Sequence, residues 1–74
     1  MARVTQFSEK SLERCSVHQE VDATYSVYEV DGETFLQIDT YGRGDRQIVG
    51  KVSQTLQLDR QGRHELRRLL ELLD

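Results

Sequence analysis

The chain has 74 residues, a net charge of −3 and one cysteine, Cys15, so we expect a single small domain over residues 1–74 without an internal disulfide. A chain of this size buries only about 60% of its unfolded surface, and such domains usually gain stability from disulfides, metals or oligomerisation. We therefore expect a homodimer. No apolar run approaches the roughly 20 residues of a membrane span, and the N-terminus lacks an apolar signal segment, so we expect a soluble, cytoplasmic protein without a membrane partner.

Residues 1–16 are compatible with two local structures. A helix that begins at Ser8 would place Phe7 and Leu12 at the spacing of a hydrophobic staple. A first strand through Val4 fits the sequence nearly as well, so both alternatives stay open at this point.

The strongest local signal is Asp31-Gly32, which lies between two runs of alternating character. Asp-Gly is typical of a two-residue type I′ turn, because both central residues need a positive φ. We predict strands over residues 17–30 and 33–41, with a register that this turn sets. One face of the hairpin then carries three mostly apolar pairs: Val27 with Leu36, Tyr25 with Ile38, and Ala23 with Thr40.

Residues 47–58 predict a third strand, and Gly50 near its start favours a bulge. Asp59 then stands at the N-cap position of a helix over residues 60–73. The helix carries one apolar stripe with i, i+3, i+4, i+7 spacing, formed by Leu66, Leu69, Leu70 and Leu73. Gly62 lies on the same stripe, so we expect the helix to approach the sheet closely there.

These elements predict an α+β fold in two layers. An antiparallel β-meander of three to four strands, within residues 17–58 and with an uncertain element over residues 1–16, is covered on one face by the C-terminal helix. The small size of this unit favours a dimer.

The net charge conceals a division along the chain. Residues 1–42 contain eight Asp or Glu and three Arg or Lys, whereas residues 43–68 contain three acidic and seven basic residues. The exposed side of the predicted helix carries five basic side chains: Arg60, Arg63, His64, Arg67 and Arg68. A basic patch on an acidic protein and an ordinary mixed surface both fit this pattern.

No motif for catalysis or for metal binding is complete. Gly50-Lys51 lacks the glycine spacing and the following Ser or Thr of a phosphate-binding P-loop. Cys15 and His18 have a spacing that some zinc sites use, but the other ligands would have to converge from elsewhere. We therefore expect a non-enzymatic protein with no cofactor and no metal.

The second face of the predicted hairpin carries three aromatic side chains, Tyr28, Phe35 and Tyr41. Aromatic rings on a sheet, with cations nearby, form a stacking platform for unpaired bases. The cations that we expect to neutralise phosphates are Arg43, Arg46 and Lys51. The pattern predicts a module that binds single-stranded nucleic acid.

Two alternative roles for the aromatic face stay open. In the first, Tyr28 and Phe35 form a cross-strand pair whose only role is to stabilise the hairpin. Alternatively, the face can be buried against a second copy or a protein partner, which would make the chain an adaptor or regulator. Asp22 and Asp39 lie on the same face, where their charge would repel phosphate.

Several segments resemble a small bacterial family whose function is uncharacterised. They are residues 36–42, Asp45-Arg46 and the run from Gly50 to Gln54. The resemblance covers most of residues 20–73 and implies no activity.

The order of elements is also similar to that of the positive-cofactor-four-like single-stranded-DNA-binding domains. The elements that correspond are Asp31-Gly32, a strand at Ile38-Asp39, Gly50-Lys51, a strand over residues 55–58 and a helix over residues 66–73. The resemblance implies a dimer with the helix at its centre. It also implies that Arg43, Arg46 and Lys51 follow a DNA path.

Overall fold

The structure, a computed structural model, describes residues 1–42 and 51–73. It contains four strands, β1 (Ala2–Val4), β2 (Ala23–Val30), β3 (Glu33–Tyr41) and β4 (Val52–Leu58), followed by the helix α1 (Arg60–Leu72). The predicted α+β class and the C-terminal helix are confirmed. The predicted helix extended one residue further, to Leu73, which is instead the C-cap.

The four strands form one mixed sheet in the order β1-β4-β3-β2. Strands β2, β3 and β4 form the predicted antiparallel meander. Strand β1 departs from it, because it pairs in parallel with β4, with Arg3 opposite Gln57. The prediction of a purely antiparallel sheet was therefore wrong at this edge. Of the two alternatives for the N-terminus, the strand through Val4 is the one that forms.

The Asp31-Gly32 turn has the predicted conformation and sets the predicted register. The φ angles of Asp31 and Gly32 are 51° and 80°, as a type I′ turn requires. Tyr28 pairs with Phe35 and Val27 pairs with Leu36, in agreement with the prediction.

Several predicted boundaries differ from those observed. Strand β2 begins at Ala23 and not at residue 17, because its partner β3 ends at Tyr41, whose amide donates to the Asp22 carbonyl. No helix begins at Ser8, and Leu12 is exposed, so the staple contact that would stabilise such a helix is absent. In the third predicted strand, residues 47–50 lie outside the described residues. A register irregularity at the start of β4 lies opposite Thr40 and Tyr41.

The sheet has two faces of opposite character. The face toward α1, called here the apolar face, carries the large apolar side chains of the sheet: Val4, Tyr25, Val27, Leu36, Ile38, Leu56 and Leu58. The other, called the polar face, carries Arg3, Thr24, Tyr28, Phe35, Gln37, Asp39, Tyr41, Thr55 and Gln57. The alternation follows from the period of two along a strand.

Helix α1 packs against the β4 end of the apolar face. Leu58 is completely buried there, and it is the one large side chain with no exposed surface in the described part of the chain. Gly62 is buried against β1, and a Cβ atom at this position would overlap the carbonyl oxygen of Val4. The predicted close approach of the helix at Gly62 is confirmed.

The buried carboxylate of Asp59 joins three elements at this point. It accepts hydrogen bonds from the Thr5 hydroxyl (2.6 Å) and, as the predicted N-cap, from the Gly62 amide (2.8 Å). The Arg3 Nε lies 3.7 Å from Oδ2 of the same carboxylate. The Thr5 and Gly62 hydrogen bonds, with the charge of Arg3, lower the pKa of Asp59 below its ordinary value of 3.8 although burial opposes this shift.

Replacing Gly62 with alanine is expected to destabilise the fold. In a helix interior, alanine is usually more stabilising than glycine by about 1 kcal/mol. Here, however, the added methyl group would meet the Val4 backbone. We expect a net loss of about 1–3 kcal/mol in the free energy of unfolding, measured by urea denaturation. Gln61→Ala, at an exposed position in the same turn, is the control and should change this free energy by less than about 0.5 kcal/mol. A Gly62→Ala variant as stable as the parent would contradict the close approach.

The lowered pKa of Asp59 makes stability depend on pH in a defined direction. A carboxyl with a lower pKa in the folded state contributes stability above its unfolded pKa, and this contribution is lost as pH falls through the folded pKa. The parent should therefore exceed Asp59→Asn in unfolding free energy at neutral pH, and the difference should narrow below about pH 4. Thr5→Val should raise the pKa of Asp59, measured by NMR titration of its carboxyl carbon. An Asp59 that titrates at 3.8 in the folded parent would contradict this assignment.

Candidate functional site

The polar face is organised around Tyr28 and Phe35, which lie directly opposite each other on β2 and β3. Their rings stack with centroids 5.8 Å apart and an angle of 27° between the ring planes. Both side chains are half-buried. The predicted cross-strand aromatic pair is therefore confirmed, and it presents ring surface at the open face of the sheet.

Hydrogen bonds from neighbouring strands hold Tyr28 in place. The Gln57 amide donates to the Tyr28 hydroxyl (2.8 Å), and this hydroxyl donates to Gln37 Oε1 (3.1 Å). Gln57 also donates to the same Gln37 oxygen at 3.2 Å. Because three strands contribute to this cluster, the Tyr28 ring is oriented before any ligand arrives.

The cluster continues into a carboxylate near the middle of the polar face. Asp39 accepts from the Thr55 hydroxyl (2.7 Å) and from Gln37 Nε2, which lies 3.2 Å from each carboxylate oxygen. These bonds satisfy the carboxylate but leave its negative charge on the face. An approaching phosphate would be repelled here.

Tyr41 lies apart from the aromatic pair. Its hydroxyl is 2.9 Å from Thr24 Oγ1 at the opposite end of the face. Six residues along β3 separate it from Phe35, or about 20 Å at the rise of a β-strand. The three predicted aromatic residues thus share one face, but only two of them are in contact.

Arg3 is the cation beside the aromatic pair, and the sequence did not predict it. It borders an open depression of about 210 Å³ together with Tyr28, Val30, Phe35 and Gln57. Arg3 reaches this position because β1 pairs with β4. A three-residue strand leaves almost no pattern in a sequence. The only indication of β1 in the sequence was that a first strand through Val4 fitted residues 1–16 as one of two alternatives.

The predicted phosphate-binding cations are described only in part. Lys51 is exposed and directly precedes β4. Arg43 and Arg46 lie outside the described residues. Of the helix cations, Arg68 lies 3.8 Å from the carboxylate of Glu65, one turn earlier in α1.

The apolar face is much less covered than the sequence predicted. The side chains of Tyr25 and Val27 are 76% and 63% exposed, and Leu73 of the helix stripe is 78% exposed. Between helix and sheet lies an apolar groove of about 450 Å³, bordered by Leu36, Leu58, Leu66 and Leu70. Helix α1 covers the β4 end of this face, while the β2 side stays open.

Comparison with known proteins identifies no relative of this chain. No protein-family model, no curated protein and no solved structure matches the chain. Within residues 1–42 and 51–73, no helix has the length and apolar character needed to cross a bilayer. The same residues bring together no group of three or more His, Cys, Asp or Glu side chains that could hold a metal ion.

Proposed function

We propose that the protein is a homodimeric, non-catalytic module that binds single-stranded nucleic acid across the polar face of its sheet. The observation that supports this proposal is the contrast between the two faces. The apolar face is too exposed for a protein in water, so a second copy covers it. The polar face, with its oriented aromatic pair, then remains accessible to a ligand.

The first step concerns the apolar face. The accessible surface is 6950 Å², whereas a compact monomer of 8.6 kDa would expose about 4700 Å². Exposed residues 8–22 and the open apolar face both contribute to the difference. Leu58 alone is fully buried among the large side chains of the described residues. Burial of the apolar face against a partner would supply the core that the monomer lacks.

A second copy fits this face because sheet and helix stripe belong to one continuous surface. Leu70 borders the groove, and Leu73 extends the stripe beyond it. In a two-fold dimer, the helix of each copy can lie over the open β2 side of the other. A single interface then covers Tyr25 and Val27 of both copies. The same placement of the helix is what the resemblance to positive-cofactor-four-like domains implies.

The second step concerns the ligand. The Tyr28 and Phe35 rings lie on a face that carries side-chain amides and hydroxyls, and Arg3 borders the pair. Stacking on an aromatic side chain contributes about 1–3 kcal/mol per base and tolerates any sequence. Arg3 and Lys51, with Arg43 and Arg46 outside the described residues, are the cations that would contact phosphates.

One observation favours a second candidate function on the same face. Asp39 places a negative charge near its middle, hydrogen-bonded to Thr55 and Gln37. A protein ligand with donor or basic groups would match this charge, whereas a phosphate would not. In that case the chain would be an adaptor or regulator that binds a protein through the aromatic pair.

Binding to a labelled single strand of about 20 nucleotides, followed by fluorescence anisotropy, tests the ligand. We expect affinity that falls steeply with salt, because phosphate contacts release counterions. Phe35→Ala should weaken binding by about 5- to 100-fold through loss of stacking. Tyr28→Phe, which keeps the ring, should weaken it much less, and Asp39→Asn should strengthen it.

Absence of binding at low salt would reject nucleic acid as the ligand. Binding that does not depend on Phe35 would reject the polar face as its site. Circular dichroism of Phe35→Ala serves as the control, because an unfolded variant would instead place Phe35 in a structural role.

The molecular mass in solution tests the dimer. Sedimentation equilibrium should give twice the chain mass of 8.6 kDa. Val27→Asp would place a charge within the covered face and should shift the mass toward that of the monomer. The matched control is Val17→Asp, at a side chain that is fully exposed outside both faces, and it should leave the dimer intact. A parent protein that stays monomeric at about 100 μM would contradict the proposed dimer.

A further inference from the structure

A second open groove lies between the first two turns of α1 and the hairpin turn. It has a volume of about 650 Å³ and is bordered by Arg60, Arg63, His64, Arg67, Glu33 and Asp59. Gly32 and Thr34 border a depression that adjoins it on the hairpin side. The groove is separate from the polar face and from its aromatic pair.

Three guanidinium groups converge on this groove without carboxylate partners. Arg60, Arg63 and Arg67 follow an i, i+3, i+7 spacing, which places them along one side of the helix. Within the described residues, no carboxylate oxygen lies within 4.0 Å of their side-chain nitrogens. The carboxylate of Asp59 bonds Thr5 and Gly62 and keeps its charge, so together with Glu33 two negative charges face three guanidinium groups at the groove.

Arg63 is the anchored member of this set. Its Nη2 donates to the Thr34 carbonyl at 3.4 Å, which connects the helix to the hairpin. Its Nε is buried and has no hydrogen-bond partner in the described part of the chain. A buried donor without an acceptor is costly, and an oxyanion in the groove would provide acceptors beside this guanidinium.

Two of the three arginines lie in the first turn of α1, where the helix dipole disfavours positive charge. The helix dipole makes cations unfavourable near an N-terminus, yet the first turn contains Arg60 and Arg63 and no acidic residue. Like charges at i, i+3 and i, i+4 add further repulsion. Arg63 gains a hydrogen bond to Thr34 in return, whereas no hydrogen bond or ion pair of the Arg60 side chain offsets this cost within the described residues. Departures of this kind from a local rule are expected at functional sites.

We propose that this groove binds a phosphate-type oxyanion through Arg60, Arg63 and Arg67. A guanidinium group donates two parallel hydrogen bonds to a phosphate and keeps its charge at every physiological pH. The site does not depend on the free amides of the helix N-terminus, because Asp59 already caps Gly62. It also does not rest on nucleic-acid binding by the polar face. The phosphate can belong to a small molecule or to the backbone of a strand.

Titration of the ¹⁵N-labelled protein with inorganic pyrophosphate tests the site. We expect saturable amide shifts concentrated at residues 32–34 and 60–67. Arg60→Gln should weaken binding about tenfold through loss of charge-assisted hydrogen bonds. Arg60 is the residue of choice because Arg63 and Arg67 also border the apolar groove.

The matched control is Arg68→Gln, which removes the same charge from the same helix. Arg68 lies near Glu65, 3.8 Å away, and does not border the groove, so its loss should leave pyrophosphate binding unchanged. Equal weakening by both variants would indicate general charge attraction and would overturn the proposal. Absence of saturable shifts up to about 10 mM pyrophosphate, a level beyond any specific site, would overturn it as well.

A stability measurement separates a binding role from a structural one. Arg60→Glu should remove pyrophosphate binding and yet raise the unfolding midpoint of the free protein by about 2–6 °C, because it matches the helix dipole. A lowered midpoint would show that Arg60 is needed for the fold and would overturn the proposal.

Two further titrations identify the source of the phosphate and keep the two proposals apart. Phe35→Ala should bind pyrophosphate like the parent, even if the polar face proves not to bind nucleic acid. A single strand that shifts the amides of residues 60–67, in competition with pyrophosphate, would assign the phosphate to a nucleic-acid backbone. Shifts by pyrophosphate alone would assign it to a small molecule.

Discussion

The fold and its polar face depend on the carboxylate of Asp59. It follows β4 directly, caps the helix through the Gly62 amide and holds the N-terminal segment through Thr5 and Arg3. A single buried side chain thus joins the sheet edge, the helix and β1. These bonds favour the ionised carboxylate, which lowers its pKa. Without them, β1 would be held only by its pairing with β4 and by the packing of Gly62 against Val4.

The small hydrophobic core explains why both faces of the sheet matter. Leu58 is enclosed where the helix meets β4, but Tyr25 and Val27 on the β2 side remain in solvent in the single chain. A helix of 13 residues covers only one end of a sheet four strands wide. In the proposed dimer, folding and association bury parts of the same core. The stability of each copy then depends on protein concentration.

The polar face and the basic groove differ in how their side chains are held. On the polar face, Tyr28, Gln37 and Gln57 satisfy one another's hydrogen bonds, so the aromatic pair is rigid and carries little net charge. In the groove, Arg60 and Arg67 have no carboxylate partner within the described residues. A rigid aromatic pair suits the stacking of bases, whereas unpaired guanidinium groups suit an oxyanion. The two proposed ligand chemistries therefore follow from two different local environments.

Local signals in the sequence determined the hairpin turn at Asp31-Gly32, the cap at Asp59 and the leucine stripe of the helix, because each depends on backbone conformation or periodicity over a few residues. The register then followed, and with it the aromatic pair. Tertiary structure alone decided that β1 joins β4 in parallel, that Arg3 borders the pair and that the helix leaves Val27 exposed. These features depend on contacts between residues 25 or more positions apart. No short pattern encodes the crossing of the helix over the sheet or the approach of its arginines to the hairpin. The exposed apolar face and the basic groove therefore appear only when the chain is folded.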